Sequence, residues 1–350
     1  MSAHAVRLMA TAVTCLLVLF LWVSWEYQRA INSPLNLSED ATIFSLESGQ
    51  NLQQVTRALS EQGILTEPRY FIWHARWRGE AHRLQAGEYT INAGMTPARL
   101  LEQFVRGDVR QYALTVFEGW TFKQLMAAVN GSPHLLHTLR DLSPPEVMER
   151  LGLPDTHPEG QFLPDTYLFP AGTRDVDFLQ RTHRLLQAHL QAAWETRDLG
   201  LPLKTPYEAL VLASIVEKET GIVDERPQVA GVFIRRLQQR MRLEADPTVI
   251  YGMGDSFDGD IRRGDLRRAT PYNTYVIRGL PPTPIAMPGR AAIDATLHPA
   301  SGDALFFVAT GHGGHVFSRT LAEHRAAVTQ YQRTMRRKSR ERAQQKNSER

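Results

Sequence analysis

Residues 205–220 read TPYEALVLASIVEKET, and this stretch organises everything around it. Thr205 followed three residues later by Glu208 is a capping box, and Pro206 stands at the first helical position, where its missing N–H costs nothing. The apolar spacing at Leu210, Val211, Leu212, Ile215 and Val216 carries a helix on to a stop near Gly221. Its last turn holds two carboxylates, Glu217 and Glu219. At 100° per residue Glu219 lies within about 20° of Leu212 and about 60° of Ile215 and Val216, whereas Glu217 points along Leu210, Ala213 and Ser214. Glu219 is therefore the carboxylate on the more apolar stripe. A carboxyl group held against apolar side chains, at the negative end of a helix dipole, stays protonated toward neutral pH and serves as a general acid. The plainer reading keeps both glutamates as solvated charges beside Lys218.

Downstream, a helix over 228–240 leads to LEADPT, in which Asp246 precedes Pro247 at a position suited to a rigid turn. Asp246 reads equally as a second carboxylate for glycoside chemistry and as the cap of the next short helix. The run TPYNTY, 270–275, offers hydroxyls, an amide and two rings, a composition that binds sugars and also builds turns. GLPPTPIAMPG, 279–289, is a proline-stiffened loop. A short helix over 291–297, a strand over 304–309 and the turn GHGGHVF, 311–317, leading into another strand complete this half. His298, His312, His315 and His324 have no metal-ligand spacing, so no metal and no cofactor are expected. Phosphate loops and a nucleophile elbow are absent from the sequence as well. The helix opening at Thr320 with Glu323 loses its apolar stripe after Met335, which predicts a basic, disordered tail over 336–350.

Upstream, EGQFLPDTY, 159–167, reads as a rigid loop with two carboxylates, followed by an amphipathic helix over 174–196. A strand is expected over 111–117, and 119–153 is helical and loop-like. Between 41 and 110 the order is strand, helix, helix, strand and a further helix, a small α+β binding module. Residues 26–40 form a turn-rich linker. Residues 8–25, LMATAVTCLLVLFLWVSW, hold no charge; 18 residues at ~1.5 Å each span ~27 Å, the thickness of a bilayer core, with Trp22 and Trp25 where interfacial anchors sit. A transmembrane helix after a seven-residue tail is the reading; a signal peptide would need small residues where Val23-Ser24-Trp25-Glu26 stands.

The 350 residues, 43% of them hydrophobic, are enough for two cores. The single Cys lies inside the span, which excludes a disulfide scaffold and suits a body outside the cytoplasm. A net charge of +3, concentrated at the C-terminus, leaves no nucleic-acid footprint.

Five ordered motifs, ASIVEKET (213–220), DPTVIYG (246–252), YNTY (272–275), GLPP (279–282) and HVF (315–317) with His324, together with the run at 159–167 and the N-terminal span, resemble the YceG-like family of endolytic murein transglycosylases over essentially the whole chain. The resemblance implies an α+β protein: a transmembrane helix, a LysM-like βααβ module over 41–110, and a mixed α+β catalytic domain over 111–335 related to lytic transglycosylases. It implies a bacterial inner-membrane protein with its catalytic part in the periplasm. The implied reaction cleaves the β-1,4 bond between N-acetylmuramic acid and N-acetylglucosamine in nascent peptidoglycan strands and leaves a 1,6-anhydro end, with peptidoglycan synthases as partners. Glu219 falls on the family's catalytic glutamate; Asp246, Thr248, Tyr272, Asn273, Tyr275 and His315 become candidate substrate-binding residues. Thr283 stands where family members commonly have Gly, which implies a stiffer loop. A hydrolase using Glu219 with Asp246, and a non-catalytic glycan-binding scaffold, are the alternatives.

Overall fold

The structure, a computed structural model, describes residues 3–37 and 39–348. Met1 and Ser2 of the expected N-terminal tail, Ser38 of the linker, and Glu349 and Arg350 of the expected basic tail lie outside the described residues. The chain divides into two compact units, one running up to Ala113 and including Leu168–Thr173, the other comprising Leu114–Tyr167 and everything from Arg174.

In the first unit, α1 (Ala3–Asn32) contains a stretch, Arg7–Asn32, long and apolar enough to cross a bilayer. The helix does not end at Trp25. Its last two turns continue because Tyr27 and Ile31 are buried on the rest of the unit, so the segment expected to be a linker from 26 is packed structure as far as Leu35. β1 (Ala41–Leu46), α2 (Leu52–Glu61), α3 (Pro68–Trp77), β2 (Gly87–Asn92) and α4 (Pro97–Arg106) follow in the βααβα order. Asn51 and Gln54 close a capping box at the start of α2: Asn51 Oδ1 accepts from Gln54 N at 3.0 Å, and Gln54 Oε1 accepts from Asn51 N at 2.8 Å. β1 and β2 pair antiparallel with Phe44 opposite Tyr89, and their inner faces meet Val55, Leu59, Phe71 and Phe104 in one core. Each such side chain contributes about 1.5–3 kcal/mol by leaving water.

β3 (Gln111–Val116) and β4 (Asp165–Pro170) form a two-stranded ribbon, so the run at 159–167 is part loop and part strand. In the second unit, α5 (Phe122–Gly131) and α6 (Pro144–Arg150) precede α7 (Asp175–Glu195), α8 (Pro206–Glu219), α9 (Arg226–Gln238), α10 (Asp246–Met253) and α11 (Arg290–Leu297). α8 is the hub. It packs on α7, α9, α10 and α11, and every residue from Ala209 to Glu217 is buried. Helices on all sides explain why its sequence is apolar nearly all round, with no solvent face to fill. β5 (Phe306–Ala309) and β6 (His315–Ser318) make an antiparallel hairpin with Ala309 opposite His315, and α12 (Leu321–Ser348) packs against it. α12 runs through 336–348, where a disordered tail was expected. The Arg, Lys, Glu, Gln and Ala of that stretch are strong helix formers, so intrinsic propensity extends the helix past the end of its apolar stripe.

Candidate active site

The end of α8 opens into a cavity of about 470 Å³ lined by Glu219, Arg236, Glu244, Asp246, Tyr275, the β5 strand, His315 and His324. Glu219 is the last residue of α8 because Thr220 turns extended, with φ −142° and ψ 131°. At the far end Thr205 Oγ1 accepts from Glu208 N at 3.2 Å, but Glu208 Oε2 reaches past the cap to accept from Lys204 N at 2.6 Å, so only the Thr205 half of the expected capping box forms. Burial among protein atoms pushes the Glu219 carboxyl up to about 8, the negative Asp246 pushes the same way, and Arg236 opposes both.

The apolarity of their helix faces does not distinguish the two glutamates in the structure. α8 has no wholly polar face: Glu217 is buried and Glu219 is half-buried at the cavity wall. What differs is what each one meets. Glu217 is itself buried; its Oε1 accepts from Arg226 Nη2 at 2.8 Å and its Oε2 from Gly289 N at 2.9 Å, while Arg226 also pairs with Glu118 at 2.9 Å. It is not one of two solvated charges. A Cβ on Gly289 would lie 1.9 Å from Glu118 Oε1, so only glycine admits this network. Glu219 faces the cavity with a second carboxylate for a neighbour.

Around it, Asp246, His315 and Arg236 are each oriented by a partner. Asp246 is the first residue of α10, and the Tyr275 hydroxyl donates to its Oδ1 at 2.6 Å. Burial and that bond raise the Tyr275 phenol, which stays a donor. Glu225 accepts from His315 N at 2.9 Å and from His315 Nδ1 at 2.7 Å, which leaves Nε2 as the ring nitrogen free of that bond. Burial would raise Glu225, but the His315 bonds outweigh it and hold the carboxyl low. Gly314, at φ +84°, sits where a Cβ would approach Glu225 Oε1 to 2.6 Å, so this contact also requires glycine. Arg236 is committed to scaffolding: Nε donates to Leu305 O at 2.7 Å, and Nη1 to Arg242 O, Leu243 O and Glu244 Oε2. Glu244, on the wall of the same cavity, is held at φ +53°, a conformation uncommon outside glycine.

Of the residues singled out from sequence, Glu219, Asp246, Tyr275 and His315 meet at the cavity, and Thr248, Tyr272 and Asn273 do not. Thr248 is fully buried, donating to Ala245 O at 2.7 Å and facing Thr274 Oγ1 at 2.8 Å, which fastens the start of α10 to the 270–275 loop. Asn273 Nδ2 donates to Asp265 O, Leu266 O and Arg268 O, and its Oδ1 accepts from Tyr275 N, so its amide organises the loop from inside. Tyr272 packs edge-on to Tyr251 and bonds Thr283 Oγ1 at 2.9 Å; Thr283 in turn donates to Pro284 O, tying the proline loop down. Glu159 is buried away from the cavity, accepting from Phe122 N at 2.8 Å and the Tyr251 hydroxyl at 3.2 Å, with burial pushing it up to about 7. Arg236, Glu244 and Glu225 were not anticipated; no local motif links Glu225 to a histidine 90 residues on. Among the described residues no group of three or more His, Cys, Asp or Glu is placed to hold a metal ion.

The profile of the YceG-like family matches residues 44–330. The chain belongs to this family. It is 28% identical over 323 residues to an endolytic murein transglycosylase of Bacillus subtilis strain 168, covering 87% of this chain and 89% of that one. It is 25% identical over 343 residues to one of Streptococcus pneumoniae strain D39, covering 85% of this chain and 61% of that longer protein. The fold is similar to that of a YceG-like protein from Listeria monocytogenes, with a TM-score of 0.53 at 23% identity, over 83% of this chain and 99% of the other.

Proposed function

We propose that this family member is an endolytic peptidoglycan lytic transglycosylase, with Glu219 as both acid and base. The observation that carries the reading is a carboxyl pushed up to about 8, facing a cavity lined by oriented polar groups; the names of the curated relatives supply the substrate class. Protonated Glu219 donates to the glycosidic oxygen as the muramic C1–O bond breaks and positive charge develops at C1. The glucosamine leaves with that proton as a free C4 hydroxyl. The Glu219 carboxylate then takes the proton of the muramic C6 hydroxyl as O6 closes on C1, so Glu219 is protonated again and no water is consumed. Asp246, fixed by Tyr275, and His315, fixed by Glu225, orient the sugar and stabilise the developing charge. α1 anchors the chain in the bacterial inner membrane with the catalytic unit in the periplasm, and the βααβ part of the first unit serves as a LysM-like glycan-binding module.

A hydrolase is the second reading, favoured by Asp246 lining the same cavity as Glu219, where a carboxylate could activate water. Mass spectrometry of products from uncrosslinked nascent glycan decides. Anhydro-ended fragments, lost in Glu219→Gln, support the lyase; fragments heavier by one water assign the hydrolase, and an active Glu219→Gln sinks both.

A further inference from the structure

Outside the cavity, the most exposed aromatic surface of the first unit gathers where α1 leaves its apolar stretch. α3 carries Tyr70, Trp73 and Trp77 at helical spacing on one face; Trp73 is 49% exposed and Trp77 75% exposed. Both rings stand against Tyr27 of α1, with centroids 4.7 Å and 6.5 Å away, and Tyr70 lies at 6.4 Å. On α1 itself, Trp22 and Trp25 are more than half exposed, and Arg29 lies over the Trp25 ring at 5.5 Å. Arg69 covers Tyr70 at 4.8 Å, and exposed Arg76 flanks the stripe.

A soluble surface has no reason to leave two tryptophans this open beside two more. Amphipathic rings with neighbouring guanidinium groups have a natural medium in the headgroup layer of a bilayer, where the ring body is shielded and the cations meet phosphate. The distances agree. Headgroup regions extend ~5–8 Å beyond the hydrocarbon on each side, and Tyr27 lies two residues, ~3 Å, beyond Trp25 along the helix. Rings packed on Tyr27 therefore fall within that layer when Trp25 sits at its inner edge. The packing of α1 on α3 and α4 makes this placement fixed rather than incidental, since the same helix sets the depth of both.

We propose that α3 is an interfacial helix that seats Trp73 and Trp77 in the headgroup layer of the membrane α1 crosses, and so fixes the tilt and depth of the first unit on the bilayer. This rests on α1 being a membrane anchor, and the test separates the two. In the full chain with Cys15→Ser, a nitroxide is attached at Trp77→Cys or, separately, at Val18→Cys, and the protein is placed in vesicles of phosphatidylethanolamine and phosphatidylglycerol. Collisions with oxygen should exceed those with a water-soluble nickel chelate at both positions, more strongly at 18. Trp73→Cys provides a second reading from the same face. Nickel accessibility at 73 and 77 with a lipid-buried 18 overturns the interfacial helix and leaves the anchor; if chitooligosaccharide then immobilises the label at 77, the stripe belongs to glycan binding. Nickel accessibility at 18 overturns the anchor and the proposal together.

Discussion

In the proposed mechanism Glu219 must be protonated to begin the reaction, so its titration sets the alkaline limb of activity. With the carboxyl pushed up to about 8, kcat/KM should hold below that value and fall above it. Asp246→Asn removes a like charge and should move the limb to lower pH, even where it also lowers the rate; a limb that stays put would show that burial alone sets the acid. The same shift has a consequence for folding. An ordinary glutamate ionises near 4.5, so between there and about 8 the unfolded chain has lost a proton that the folded chain keeps, and stability declines as pH rises through that window. Glu219→Gln is free of this penalty. It should melt at a higher temperature than the native chain at pH 8, with the gap closing toward pH 4.5, a comparison calorimetry makes directly; a variant less stable at pH 8 would count against the raised acid. At this scale the sequence brought together Glu219, Asp246, Tyr275 and His315. It could not tell cavity-lining polar groups from buried loop fasteners such as Asn273 and Thr248, because that distinction depends on which carbonyls and hydroxyls close around each side chain.

At the scale of elements, the last turn of α8 is positioned by one buried cation. Arg226, the first residue of α9, joins Glu217 of α8 to Glu118 ahead of α5, while Glu217 also holds the N–H just before α11. Arg226→Met leaves Glu217 without its cation and should cost about 3–5 kcal/mol at neutral pH, the usual loss when one partner of a buried pair is removed. Burial already raises Glu217, opposed by the Gly289 N–H and by Arg226. Without the guanidinium it can escape the penalty by taking a proton, so the loss should be smaller at pH 5 than at pH 8 in denaturant titrations. Equal losses would mean the cation, not the carboxylate, carries the cost. Helices with strong local signals were legible: Pro68 opens α3, and Thr205 with Glu208 opens α8. β4 has no local strand signal because its pairing with β3 is remote in sequence, and a fading apolar stripe does not by itself end α12, whose helix-forming residues carry it on.

For the whole molecule, the reading of α1 as an anchor implies a restriction on substrate. A catalytic unit tied to one bilayer meets a glycan strand held on that bilayer as though it were at millimolar concentration, whereas a free strand is met only at its bulk concentration. In proteoliposomes carrying membrane-held strands, the full chain at nanomolar concentration should cleave those strands on the order of 10²-fold faster than the same strands free in solution. The chain without residues 1–26 keeps Tyr27 and every cavity residue, so the chemistry should survive while the preference disappears. Measuring both rates on both substrates separates tethering from catalysis. A truncated chain that still prefers membrane-held strands would shift the recognition to the rest of the first unit, and a full chain with no preference would remove α1 from substrate selection.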